Sequence, residues 1–102
     1  MAKQFKSDIE AFVINKVKEK REQLGLSQSE LAMHLGVSNG FIGQAESSNY
    51  PTKYNLNHLN KLADILKCSI KDFMPEIPLK WKIYATACNS FLLAAVSLYS
   101  IT

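Results

Sequence analysis

Few residues in this chain are spaced for covalent or acid–base chemistry. There is no Ser/His/Asp order, no paired carboxylates and no glycine-rich loop built to cradle a phosphate. His34 and His58 fall in helical stretches where nothing converges on them. Cys68 and Cys88 have neither a second Cys nor a His at metal-ligand spacing. Both read as reduced thiols, and neither a cofactor nor a metal is expected. The informative segment is Ser27 to Glu46, where two short helical stretches flank a tight turn at Gly36-Val37. Helices meeting at a steep angle need a small side chain where their backbones approach, and Ala32 supplies it. Gly36 can take a positive φ without steric cost. Val37 and Ile42 then fill the corner. The chemistry on offer is recognition rather than catalysis.

Helix signals position that corner on both sides. Ser7-Asp8-Ile9-Glu10 reads as a capping box, and behind it Ile9, Phe12, Val13, Val17 and Leu24 fall at helical spacing. Gly25 ends this first helix. A second capping box, Ser27-Gln28-Ser29-Glu30, opens a short helix with Leu31, Ala32 and Leu35 facing inward, and Gly36 stops it. Ser38 is placed to cap a third helix from about Asn39 to Glu46, with Phe41, Ile42 and Ala45 as its apolar positions. Pro51 breaks the loop that follows. Asn55 caps a fourth helix carrying the stripe Leu56, Leu59, Leu62, Ala63 and Leu66, closed by Lys67 and Cys68. Ser69 to Met74 predicts a short fifth helix, halted by Pro75.

At 102 residues the chain has room for one compact domain. Its 47% hydrophobic and 21% charged content excludes a disordered or fibrous chain. The net charge of +3 suits a nucleic-acid partner but decides little alone. No apolar run backs the charges near the N-terminus, so a signal peptide is not expected and a cytoplasmic location is.

At Ser27 to Glu46 the sequence resembles the phage-repressor (Xre/Cro) family of helix-turn-helix regulators. The likeness continues through Leu56-Asn57-His58-Leu59-Asn60-Lys61-Leu62-Ala63 and Cys68-Ser69-Ile70-Lys71-Asp72-Phe73-Met74-Pro75, covering roughly residues 13 to 75. The resemblance implies an all-α, five-helix, lambda-repressor-like DNA-binding domain over 1–75, and transcription regulation by operator binding. Under it, Gln28 sits against a phosphate and braces the reading helix. Asn39, Gly40, Gly43 and Gln44 occupy the groove-facing surface, and the Asn and Gln amides can pair with adenine N6 and N7. Ser38 contacts backbone or a base edge, and Phe41 either meets a thymine methyl or packs inward. Thr52 and Lys53 hold phosphates and set register. Arg21 and Glu46 form a partly buried salt bridge between the first helix and the end of the reading helix. The chain departs from the family in three ways. Gly40 and Gly43 lie within the third helix, Ser47-Ser48 replaces a common glycine, and the reading surface lacks Arg and Lys. Close backbone approach to the groove is one use for the two glycines.

The final stretch has a different character. From Ile83 to Thr102 there are 20 residues without a charge, preceded by Lys80-Trp81-Lys82. As a helix this would span about 30 Å, enough for a bilayer, yet Thr86, Asn89, Ser90, Ser97 and Ser100 make insertion marginal. Residues 76–102 are therefore expected to be a C-terminal apolar extension that packs on the domain or dimerises, with a membrane anchor as the alternative. The whole reads as a non-enzymatic, dimeric repressor of double-stranded DNA. An antitoxin-like regulator or interaction module with a partner protein, and a membrane-tethered regulator, stay open.

Overall fold

A computed structural model describes residues 5–79. Four α-helices and one 3₁₀ turn make up the described chain, which contains no strand. Helix α1 spans Asp8–Gln23, α2 Gln28–Leu35, α3 Phe41–Glu46 and α4 Leu56–Ile65.

Local chemistry accounts for most of these boundaries. Ser7 and Glu10 make a reciprocal capping box, the Glu10 N–H donating to Ser7 Oγ at 3.3 Å and the Ser7 N–H to Glu10 Oε1 at 2.8 Å. Ser27 and Glu30 repeat it at the start of α2. Asn55 does so for α4 with His58 as the reciprocal acceptor: His58 Nδ1 takes the Asn55 N–H at 3.2 Å. Gly25 adopts φ 71° and closes α1 through the paired bonds Leu26 N–H to Arg21 O and Gly25 N–H to Glu22 O. Gly36, at φ 80°, closes α2 in the same manner. Lys67 closes α4 from φ 57°, a left-handed position that an L side chain occupies at a steric cost.

The core gathers one face from every element. Val17, Leu31, Ile42, Leu62 and Phe73 are fully enclosed, and Ala32 of α2 and Ala45 of α3 are buried with them. The structure departs from the sequence pattern at several points. The fifth helix is a single 3₁₀ turn, Ile70–Phe73, because Pro75 forces Met74 to an extended conformation and leaves room for one turn only. Helix α3 begins at Phe41 rather than Asn39. The Ser38 hydroxyl makes no cap; its backbone carbonyl instead accepts the Phe41 N–H at 3.0 Å, closing a turn through Asn39-Gly40. Leu56 lies outside its stripe at 77% exposure, since as the first residue of α4 it projects past the core. Ile9 and Leu24 are likewise exposed, while Ile14 is buried in their place. Ile9 borders an apolar groove of about 170 Å³ shared with Val13, Ile14, Tyr54, Leu59 and Met74.

Of the C-terminal apolar extension only residues 76–79 are described, with Ile77 and Leu79 exposed; the remainder, including Ile83–Thr102 and Cys88, lies outside the described residues. Among the described residues no helix is long and apolar enough to cross a membrane.

Candidate nucleic-acid interface

Helix α3 has only six residues and little intrinsic reason to be helical. Its N-terminal boundary residue Gly40 offers no side-chain cap, and Gly43 sits inside it. Tertiary ties must therefore fix its position. Ile42 and Ala45 anchor the inner face in the core. At the C-terminal end, the Glu46 carboxylate is held by two other helices. Arg21 Nε donates to Glu46 Oε2 at 2.9 Å and Arg21 Nη2 to Oε1 at 3.0 Å, a bidentate pair with both side chains almost wholly buried. Arg21 Nη1 also donates to the Leu26 carbonyl at 2.8 Å. Gln28 Nε2 adds a third donor to Glu46 at 2.9 Å. A buried carboxylate with three donors is well compensated, so α1, α2 and α3 share one polar knot.

Each residue singled out in the sequence has a definite place around that knot. Gln28 braces α3 through Glu46. Its side chain also explains Gly43, where an added Cβ would lie 3.2 Å from Gln28 Oε1. A side chain at position 43 would press on this brace. At Gly40 an added Cβ would meet nothing within 4 Å, and that position faces open space. Ser38, Asn39, Gly40 and Gln44 are exposed together on the outer side of the turn and α3. Phe41 is half-buried and packs inward, its ring 5.2 Å from His58 in an edge arrangement and 6.1 Å from Tyr54. Thr52 Oγ1 donates to Gln44 Oε1 at 3.2 Å, orienting the Gln44 amide from the following loop. Lys53 Nζ lies 2.9 Å from Glu10 Oε1 in a half-exposed ion pair. The Glu10 carboxyl is held below its usual range by the Ser7 backbone N–H, with the Lys53 hydrogen bond adding to it.

Sequence reasoning missed Lys6. Its ammonium reaches the C-terminal end of α3, donating to the carbonyls of Gln44 at 3.3 Å, Ala45 at 2.6 Å and, closest of all, Ser47. Burial pushes the Lys6 ammonium below its ordinary value, helped by the neighbouring Lys53. These contacts join residues about forty positions apart. No capping or periodicity signal reaches so far. The surface offers neutral amides and backbone for hydrogen bonding, with cations at its edge. No cluster of metal-ligating side chains occurs among the described residues.

The geometry has counterparts among known proteins. The restriction-modification controller protein C.AhdI from Aeromonas hydrophila is 25% identical, with a TM-score of 0.55, over 63% of this chain and 94% of that one. An HTH_3 family transcriptional regulator from Vibrio cholerae is 29% identical, with a TM-score of 0.55, over 64% of this chain. Hydroxypropylphosphonic acid epoxidase from S. wedmorenis, 23% identical with a TM-score of 0.59, shares the fold. The chain spans 35% of the Vibrio regulator and 36% of the epoxidase. No curated protein matches the chain. The HTH_3 helix-turn-helix family matches residues 17–73, a little inside the 13–75 expected. With more than half its length matched and the paired helices α2 and α3 in place, the chain belongs to the helix-turn-helix family.

Proposed function

We propose that the chain binds double-stranded DNA with α3 and its leading turn in the major groove, and that it regulates transcription as a dimeric repressor. One observation carries the reading. A helix too weak to stand alone is bolted to the core at Ile42, Ala45 and Glu46, while Asn39, Gly40 and Gln44 stay exposed on its far side. That division of labour serves a surface held out for a partner. The amides of Asn39 and Gln44 suit adenine edges, each good bidentate pair discriminating by about 1–3 kcal/mol. Gly40 lets the backbone come close to the groove. The named roles of the Aeromonas controller and the Vibrio regulator agree with this reading.

The mechanism is binding rather than turnover: two copies on half-sites about 34 Å apart would occlude polymerase. Dimerisation also answers the scarcity of cations on the reading surface, since two copies double the phosphates neutralised. Selection of bound duplexes from a random pool tests the proposal. Enrichment of a two-fold symmetric sequence, retarded as a dimer complex, is the expected result. Failure to retard any duplex even at low salt would remove DNA from the proposal, leaving a helical module for protein partners.

A further inference from the structure

Lys6 stands eleven residues before the family match begins at residue 17, so its ammonium comes from outside the matched segment while the carbonyls it meets lie within it. Its position is unusual for a lysine. The side chain is half-buried, and its three ammonium hydrogens are matched by three carbonyls, those of Gln44, Ala45 and Ser47. Of these, the Ala45 carbonyl is one that the helix leaves open at its C-terminal end, the Gln44 carbonyl also accepts the Ser47 N–H at 3.2 Å, and Ser47 is the residue just past the helix; a positive charge at this end is also favoured by the helix dipole. Helix α3 has no basic residue of its own in that turn. Lys6 supplies one from outside.

The acceptors tie this contact to recognition. One of them is the carbonyl of Gln44, the residue whose amide Thr52 orients on the outer surface. Glu46 fixes α3 through a side chain, whereas Lys6 grips the backbone itself. Where α3 ends therefore depends on the segment that precedes α1. We propose that Lys6 is a positioning residue for base reading, setting the C-terminal end of α3, and with it the Gln44 amide, from an N-terminal strap outside the common domain. The inference rests on the DNA-binding reading above.

The test uses the full chain as wild type, Lys6→Met and Lys6→Arg. Met keeps length and removes the charge; Arg restores a cation with several donors. Binding is measured to the selected duplex and to a random one across a salt series, and amide hydrogen exchange is measured in the free protein. Lys6→Met should weaken the selected duplex by roughly five- to thirtyfold, the range for a charge on a partly buried helix end. Random DNA should bind as before with an unchanged salt slope, and Lys6→Arg should recover most of the loss. Amides at the end of α3 should exchange faster in Lys6→Met, with those of α4 unaltered. Equal losses on both duplexes, with the salt slope smaller by about one, would make Lys6 a phosphate ligand and overturn the proposal. Unchanged binding, or exchange accelerated equally in α4, would overturn it too. If the wild type binds no DNA, the functional reading fails by itself, and the exchange data still decide whether Lys6 holds α3.

Discussion

Gln44 and Lys53 lie close together around the end of α3, yet they are expected to fail differently when altered. Gln44 presents an amide oriented by Thr52, so under the proposed reading Gln44→Ala removes information about a base. Discrimination at one or two base pairs should relax by about 1–3 kcal/mol, while random DNA binds as before. Lys53→Ala removes a cation from the loop and should weaken all duplexes alike, flattening the salt slope by about one. Part of that loss is offset because Lys53 already pairs with Glu10 and must leave it to reach a phosphate. Competition titrations with single-base variants of the selected site separate the two. Identical behaviour of both variants would remove direct reading by Gln44. Lys67 offers a stability test away from this surface. At φ 57° it closes α4 where glycine would be unstrained, so Lys67→Gly should stabilise the fold by about 1 kcal/mol. Urea unfolding would reveal it as a higher midpoint with an unchanged slope.

Helices α1, α2 and α4 are legible because each opens with a side-chain cap written in three or four consecutive residues. The Ser7–Glu10 and Ser27–Glu30 boxes are short-range facts, and short-range facts survive folding. Helix α3 is different. Its start is a turn closed by the Ser38 backbone carbonyl, which any residue could supply, and the serine hydroxyl suggests a cap that never forms. The stripe of α4 overreaches at Leu56 because periodicity cannot say where the core stops. At the site, Arg21 and Glu46 stand at positions the family resemblance singles out, and the bond between them is present. Lys6 with α3, and Glu10 with Lys53, follow from no pattern, since only the packed chain brings them together. The knot around Glu46 gives the prediction at this scale. Glu46→Ala leaves the Arg21 guanidinium buried with only Leu26 O and the distant, exposed Glu22 for company. The cost should be about 3–5 kcal/mol, a large part of the stability of a small domain. Chemical denaturation measures it. A loss below about 1 kcal/mol would mean that water reaches Arg21 as easily as Glu46 does.

Across the whole molecule, the titrating groups set opposite limits on the pH range of the fold. Glu10 and Glu30 are both held below the ordinary carboxyl value by the backbone N–H groups they cap, those of Ser7 and Ser27. A carboxyl with a depressed folded value contributes stability that is complete above the unfolded value near 4.5 and lost as pH falls through the folded one. The acid limb should therefore begin below about pH 4.5 and flatten in Glu10→Gln. The alkaline limb belongs to Tyr54, whose hydroxyl is buried with no hydrogen-bond partner among the described residues. Burial raises this phenol well above its ordinary value of 10.0, and the nearby Glu46 carboxylate adds to the effect. The unfolded chain ionises first, so this stability is complete below about pH 10 and declines above it. Lys6 titrates in the same alkaline window, because burial lowers its ammonium below the ordinary 10.5. Net curves in that window mix the two, which is why a difference experiment is needed. Tyr54→Phe keeps the ring against Phe41 and His58 and removes only the unpartnered hydroxyl, so stability at pH 7 should be equal or slightly higher. Above pH 10 the variant should lose less than the wild type, the gap widening with each further rise in pH. Parallel curves for the two proteins between pH 9 and 11 would mean that the hydroxyl is solvated in the folded protein, and that Tyr54 sets no alkaline limit.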